Sequence, residues 1–560
     1  MTSGQPSPAA HPPTNGAEAT APAAPQPTPT GSAWEPLRVP VFRALWLASV
    51  TSNIGTWAHD VGAAWLMTSM TTSPLLVSLL QTAASIPVFM LALPAGAMAD
   101  LVDRRRLLII SNLSVAATAV VLTVVSLSGT MSPAVLLAFT FVLGVGAAFN
   151  NPAWQATIPE VVPRPLVPAA TTLNGVNINL ARALGPALGG FIVAAAGPPA
   201  VFVLNAVATL AIVVVVWRWR PAPRTVTVPP ERMVGAMRAG FRFVWFSQEL
   251  RPVLVRALAF ITCASALWAL LPIFARQQLG LGATEYGFML GALGAGAVTA
   301  SNFLPSWRRR LNVDRLVVVG TFTLAGLLII LSITRSYPLT LVAMFVVGMA
   351  WIALMPTFNV AAIQVLPSWV RARGLAIYNV IYQGGMAVGG VVWGTVATAL
   401  DVPATFLIAA GGLGVGVLLT PLFPLKGAEK LDLTPARHWP TVEGLVLGTE
   451  ADAGPVLVSV EYRIDPAKTE EFLRLLHRGK SVRKRDGAYA WGIYQDVADR
   501  SRFVEEFLVP SWNEHVRQHE RVTRSDQPDE VAARALHIGP DAPVVRHYVY
   551  ADLRVEHRHG

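Results

Sequence analysis

The chain has 560 residues, 53% hydrophobic and only 14% charged, with a net charge of +10. Soluble globular proteins carry about 25% charged residues, so the composition excludes that class and describes a chain dominated by lipid-buried segments. The positive charge does not indicate nucleic acid as a partner. The arginines stand in short clusters between apolar runs, where they meet anionic headgroups, rather than on one basic face.

Residues 1–39 are rich in Pro, Ala, Thr and Gly. They hold too little apolar surface to offset the entropy of ordering, and they read as a disordered tail. They lack the basic start and apolar core of a signal peptide, so the first membrane helix is expected to direct insertion.

Residues 40–425 form a train of apolar runs, at about 44–67, 74–98, 106–127, 132–156, 168–195, 199–218, 253–276, 284–306, 314–334, 338–361, 372–399 and 402–424. Each is long enough to cross the roughly 30 Å hydrocarbon layer, which takes about 20 helical residues. Helices are expected because lipid offers backbone groups no partners, and the runs are too long and too uniformly apolar for barrel strands. A polar break at 219–252 divides the twelve spans into halves at about 40–218 and 253–425. The one cysteine, Cys263, lies inside an apolar run, cannot form an internal disulfide, and reads as a small packing residue.

Every second loop is basic. Arg104–Arg106, Arg164, the central loop, Arg308–Arg310, and Arg371 with Arg373 fall in one set. The alternate loops "SGTMSP" and "AAGPPA" hold no Lys or Arg, and Arg276 and Arg335 are isolated exceptions. The positive-inside rule then places the basic loops and both termini in the cytoplasm.

Residues 426–452 read as a linker, after which the pattern changes. "PVLVSVEYRID" alternates as a strand does, and "PAKTEEFLRLLHRGK" repeats at helical spacing. "AYAWGIYQD" and "RFVEEFLV" read as strands, "SWNEHVRQHERV" as a helix and "PVVRHYVYAD" as a last strand. The order βαββαβ over 453–552 is a ferredoxin-like α+β arrangement, followed by a polar tail at 553–560. The fold class expected is therefore an all-α polytopic bundle of two six-helix halves with this small domain appended.

Three local patterns carry function. The first is "GAMADLVDRRR", with Gly96, Asp100, Arg104 and Arg105 in a turn between the second and third spans. Gly96 allows close helix approach, and an acid at Asp100 suits the positive N-terminus of a helix in the other half. The second is "ARALGPALGG" in the fifth span, where Gly185, Pro186, Gly189 and Gly190 allow close packing and a bend. The third is "IYNVIYQGGMAVGGVVWG", a glycine-rich face with Tyr378 and Tyr382 that echoes the fifth span in the second half.

Twelve spans split six and six by a long loop, together with these patterns, resemble the major facilitator superfamily of secondary transporters. The closer resemblance is to its bacterial subgroup of enterobactin exporters and macrolide efflux proteins, the transmembrane secretion effectors. "FRALWLASVTSNIGTWAHDVGAAWLM" and "NNPAWQATIPEVVPRPLVPAATTLNG" carry it. The resemblance implies a bacterial cytoplasmic-membrane protein that exports a small amphipathic molecule such as a siderophore, antibiotic or drug. It implies alternating access and proton antiport, with no cofactor and the proton gradient as energy source. By the same resemblance Asp100 latches onto the eleventh helix near "RARG", and "GPALGG" favours export over import. Departures are Leu101 and Asp103 in the first motif, Thr172 and Ala181 upstream of the second, and Thr140 where many antiporters hold an arginine.

Ionisable residues inside a bilayer are functional candidates by default. Asp60, preceded by His59, is the one acid well inside a predicted span, and Arg182 lies mid-way along the fifth. Asn53, Trp57 and Asp60 share one helical face, as do Asn174 and Arg182. Asp60 and Arg182 are expected to face a central cavity, paired or bridged by water, with Asp60 taking the coupling proton. A structural ion pair holding the first and fifth spans together, and an Asp60 solvated near the outer interface, are the alternatives. Trp57, Trp154, Tyr378 and Tyr382 read as aromatic wall or as packing, and Gln81, Asn150 and Gln383 as polar wall.

No catalytic set, metal site or nucleotide-binding loop is expected. His515 and His519 have metal-compatible spacing beside Glu514, but no third ligand is evident, and a solvated helix face is the simpler reading. The C-terminal domain resembles small dimeric α/β-barrel domains, some of which oxidise aromatic polyketides, so self-association is expected of it rather than catalysis. Two rival readings remain: a transporter fused to a monooxygenase-like domain, and a non-transporting membrane sensor.

Overall fold

The computed structural model describes residues 32, 34–220, 233–425, 431–436 and 454–551. Six helices build the first half: α1 (Pro40–Met70), α2 (Pro74–Leu101), α3 (Arg104–Leu127), α4 (Pro133–Val161), α5 (Val167–Ala196) and α6 (Pro198–Arg218). A shorter helix, α7 (Met233–Phe246), precedes the second half. That half holds α8 (Leu250–Ile273), α9 (Ala283–Arg310), α10 (Val313–Ile333), α11 (Tyr337–Gln364), α12 (Arg371–Ala399) and α13 (Val402–Leu418). The helices begin where the sequence supplies caps. The side chains of Ser73, Asp103, Ser132, Asn312 and Asp401 each accept a first-turn N–H.

Among the described residues, ten helices are long and apolar enough to cross a membrane. Neither α1, which carries Arg43, His59 and Asp60, nor α13, with 17 residues, is among them. Both nonetheless pack in the same bundle, α1 against α5 and α6 and α13 against α8 and α10.

Two departures from the expectations lie before the C-terminal region. Glu35–Arg38 form a 3-10 turn and Leu37 and Val39 pack beside Phe42, so the last residues of the 1–39 tail are ordered. The break at 219–252 contains α7, because "RAGFRFVWF" repeats apolar residues at helical spacing between its arginines. The tail before residue 32 and the end from 552 lie outside the described residues, as does the 426–452 linker except for 431–436, which hydrogen-bonds to the backbone of 522–525.

The C-terminal region runs β1 (Val456–Arg463), α14 (Thr469–Asp486), β2 (Ala490–Gln495), β3 (Arg502–Val509), α15 (Trp512–Arg521), α16 (Gln527–Ala535) and β4 (Val544–Val549). The strands form one antiparallel sheet in the order β2-β3-β1-β4. Strand alternation sends Val460 and Tyr462 of β1 and Phe503 of β3 toward Phe472 and Leu476 of α14. The α16 helix is additional to the expected order.

Candidate functional site

The two halves meet closely at one end of the bundle. At that end Arg276 Nη1 donates to Thr68 Oγ1 at 3.4 Å, and Gln277 Nε2 donates to the Thr72 carbonyl at 3.1 Å. Glycines make the approach possible. A Cβ on Gly190 would sit 2.5 Å from the Ala283 carbonyl and 2.8 Å from Gly287 Cα, so α5 and α9 touch backbone to backbone. Gly185 and Gly189 face the other way, where a Cβ would lie 2.5 Å from Trp57 Cβ and 2.7 Å from Ala58 Cα of α1. The "GPALGG" stretch thus serves two interfaces, one within its half and one between the halves. In the second half Gly390 and Gly394 play a similar part, seated against Thr82 and Ser78 of α2.

The opposite end carries the α2–α3 turn. Gly96, expected to let helices approach, does not do so here: a Cβ on it would meet nothing within 4 Å. Gly175 of α5 is equally open. Arg104 Nη1 donates to the Ala156 carbonyl at 2.7 Å and to Glu160 Oε1 at 2.8 Å, tying the turn to α4. Arg105 donates from Nε to the Val216 carbonyl at 3.2 Å and also to the Trp217 carbonyl, closing the last turn of α6. Asp103, where the superfamily pattern has glycine, accepts from the N–H groups of Arg105 and Arg106 and starts α3. The side chain of Asp100 lies outside the described residues.

Between the halves lies a cavity of about 560 Å³. That volume is typical of small-molecule sites. Its wall brings together Trp57 and Asp60 of α1, Gln81 of α2, Arg182 of α5, Trp268 of α8 and Tyr382 and Gln383 of α12, with Tyr286 and Trp351 completing it. Asp60 is exposed to this space, whereas His59 beside it is buried against Phe202. The Arg182 guanidinium lies over the Trp57 ring at 5.5 Å. Arg182 Nε is buried and has no hydrogen-bond partner among the described residues. Asp60 and Arg182 share the wall but form no ion pair within 4 Å. A chain of rings follows: Trp57 and Trp268 are tilted with centroids 6.5 Å apart, and Trp268 and Trp351 are 5.4 Å apart, edge to face.

Several expected wall residues hold helices together instead. Asn53 Nδ2 donates to Asn177 Oδ1 at 3.0 Å, and Asn177 Nδ2 to Ser49 Oγ at 2.9 Å, a polar clasp between α1 and α5. Asn174 Oδ1 accepts from Trp154 Nε1 at 2.9 Å and joins α5 to α4. Asn150 accepts from Asn112 at 2.8 Å. Tyr378 is buried in the core of the second half, outside the cavity wall. A residue one helical turn from the cavity shares its face by periodicity yet meets the neighbouring helix, and this separates Asn53 from Asp60.

Trp268, Tyr286 and Trp351 are wall residues that the sequence did not mark. Trp268 and Trp351 sit in apolar stretches with no charged neighbour to single them out, and Tyr286 follows Glu285 in the first turn of α9, where it reads as part of the helix start.

The second organised region is the seat of the C-terminal sheet. Glu514 of α15 accepts from Arg242 Nη2 of α7 at 2.7 Å and from Arg521 Nη1 at 2.6 Å. Burial pushes the Glu514 carboxyl up, but those two guanidiniums outweigh it and hold it below the usual range. The Arg521 guanidinium covers the Trp369 ring at 4.6 Å, on the turn between α11 and α12. Arg485 and Lys484 lie over Phe243 and Phe246 of α7 at 5.5 Å and 5.7 Å. His515 and His519, the spacing noted above, bring their Nε2 atoms to 3.3 Å. Among the described residues no group of three or more His, Cys, Asp or Glu side chains is placed to hold a metal ion.

The family described as transmembrane secretion effectors matches residues 31–554, nearly the whole chain. The chain belongs to the transmembrane secretion effectors, a family of the major facilitator superfamily. The match runs through the C-terminal sheet, so that region lies within the family's extent. A multidrug efflux pump, Tap of Mycolicibacterium fortuitum, is 25% identical over 375 residues, which is 64% of this chain and 90% of Tap. The enterobactin exporter EntS of Shigella boydii is 27% identical over 294 residues, 51% of this chain and 69% of EntS. Among solved structures, a D-xylose–proton symporter superposes with a TM-score of 0.56 at 14% identity, covering 70% of this chain and 99% of that one. The last likeness shows the fold alone. The chain is thus a multi-pass membrane transporter of small molecules, and the transmembrane secretion effectors it belongs to are not enzymes as a family.

Proposed function

We propose that the chain exports a small amphipathic molecule across a bacterial cytoplasmic membrane by rocking its two six-helix halves about the central cavity. All twelve long helices would cross the bilayer, α1 and α13 included, with both termini in the cytoplasm. The observation that carries the reading is the cavity itself. It lies between the halves, it is lined by aromatic rings, and it holds one acid and one guanidinium that do not neutralise each other. Charges left unpaired within membrane-spanning helices are expensive, so they are kept for work. The names of the relatives, an efflux pump and an exporter of a siderophore, support an amphipathic cargo.

In this reading the described state is open toward the cytoplasm; the open space around Gly96 and Gly175, at the end bearing the arginine-rich turns, supports it. A cargo enters past the α2–α3 turn and lies against Trp57, Trp268 and Trp351. Closing that end brings the Asp100 turn toward the start of α12 and opens the Gly190–Gly287 seam. Asp60 accepts the returning proton. A cargo with a cationic group competes for the same carboxylate, which gives exchange the sign of an antiport. The test is uptake of an organic dye cation into everted vesicles under an outward-directed proton gradient, with the lumen acidic. The wild-type chain should accumulate dye until a protonophore is added, and Asp60→Asn should bind dye more weakly, through the rings alone, and show no gradient-driven uptake. Driven uptake retained by Asp60→Asn would overturn the proton role.

A further inference from the structure

The α7 helix, between the two halves, has two different faces. Ala239, Gly240 and Phe243 are buried: Phe243 meets Trp369 edge to face at 5.6 Å, and a Cβ on Gly240 would sit 2.9 Å from Arg373 Cβ in the first turn of α12. Beside that face Arg242 reaches Glu514. The remaining arc carries Arg238, Phe241 and Trp245, three and four residues apart and therefore side by side. All three are exposed, Phe241 by 62% and Trp245 by 65%, and the two rings stack on each other with centroids 6.1 Å apart. A helix meant for water does not keep two large stacked aromatic rings outermost.

The level at which α7 lies decides what covers them. It rests against the first turn of α12, at the end of the bundle where α6 and α9 finish. At that same end Trp217 is 64% exposed, and Phe303 stacks on Trp307 at 6.3 Å just before Arg308–Arg310. Aromatic rings next to arginines at the ends of spanning helices mark the plane where hydrocarbon meets headgroups. Phe241, Trp245 and Arg238 repeat that composition on a helix outside the spanning set. A helix with rings on one arc and a guanidinium at its edge lies in the interface plane, its apolar arc sunk roughly 5–10 Å.

We infer that α7 is an interfacial helix: its outer arc is covered by the headgroup–acyl boundary of the bilayer while its inner arc seats the C-terminal sheet. The C-terminal region is then bracketed to the membrane surface through Arg242 and Phe243, and lipid contact and docking are linked through one helix.

The single cysteine allows a direct test in the full chain. A nitroxide is attached to Cys263→Ala/Trp245→Cys in vesicles of phosphatidylcholine and phosphatidylglycerol. Its collisions with oxygen and with a water-soluble nickel chelate are compared with those of Cys263→Ala/Val497→Cys. Val497 is 99% exposed on the C-terminal region. At position 245 oxygen collisions should exceed nickel collisions several-fold, and at position 497 the order should reverse. A label at 245 as open to nickel as the one at 497 would overturn the inference. So would exclusion of both reagents, which would mean that a second copy or another segment of the chain covers the arc. Phe241→Cys, on the same arc, gives the same reading if Trp245→Cys does not fold.

Discussion

Two arginines in this chain are both taken out of bulk water, and their surroundings differ. Arg182 enters the wall of the central cavity with a tryptophan face for company and no carboxylate within ion-pair reach. Arg483 of α14 is buried in the C-terminal region against Glu505, Nε to Oε1 at 3.1 Å, and Trp491 Nε1 donates to the same carboxylate at 3.0 Å. The second arrangement answers its own charge and has nothing left for a ligand. The first leaves a charge that only cargo, water or a protonation change can answer. The difference predicts opposite phenotypes. Replacing Arg182 by Gln should reduce export about tenfold or more, each tenfold step being about 1.4 kcal/mol of barrier. The melting temperature of the purified transporter should not fall. Vesicle uptake and thermal unfolding measured side by side decide it, and a variant that melts early would put Arg182 in the same class as Arg483.

For Arg483 the expected order is reversed. Arg483→Met strands Glu505, which is 1% exposed, without its partner. Breaking a buried pair in this way costs about 3–5 kcal/mol. Hydrogen exchange of β1 and β3 amides in the full chain should speed accordingly, while the membrane helices keep their protection. The double variant Arg483→Met/Glu505→Leu should recover much of the loss, because an apolar pair of similar volume avoids desolvating either charge. Failure of the double variant to recover would mean that the pair also positions something else, with Trp491 the first candidate.

The same contrast separates what the sequence disclosed from what it withheld. The bundle was legible because apolar runs obey a rule that needs no partner: length against bilayer thickness. Asp60 and Arg182 were legible as candidates for the same reason, since a lone charge in an oily run is visible by itself. Asn53 and Asn174 were misplaced because helical periodicity fixes a face only to within a neighbour's width, and Asn177 and Trp154 took them. Trp268 and Trp351 left no mark, because a ring in an apolar helix looks the same whether it faces lipid, core or cavity. The Arg242–Glu514 contact joins residues 272 apart in sequence, and nothing local announces it. Glu514 was noted beside His515, yet its partner lies in a stretch read as a polar break.

The smallest expected effect tests the C-terminal charges by titration. His515 of α15 is 1% exposed, and its Nδ1 is buried without a hydrogen-bond partner among the described residues. His519 faces it from the same helix, His547 from β4 with ring centroids 4.7 Å apart, and the positive charge of Arg483 acts on it from α14. Burial first, and then those neighbours, lower its pKa to about 3. An unfolded histidine titrates near ~6.5. Below that pH the unfolded chain binds a proton that the folded chain refuses, so stability is full above about 6.5 and falls as pH drops toward 3. The half-buried His547 is also held low and acts in the same direction. Glu514 and Asp526, both below the ordinary carboxylate range, lose their contribution only under about pH 4, whereas Asp486, which burial raises, acts above that pH and in the sense opposite to the histidines. Between about pH 6.5 and 4.5 the histidines therefore lower stability as pH falls, and Asp486 offsets part of that loss. Exchange protection of the sheet, corrected for intrinsic rates, should fall across this window by on the order of 1–2 kcal/mol, and His515→Phe should flatten the slope to the part owed to His547. A wild-type profile level through that window would mean that the His515 ring accepts its proton in place, and that its neighbours do not oppose the charge as the carboxylates around Arg483 and Arg485 answer theirs.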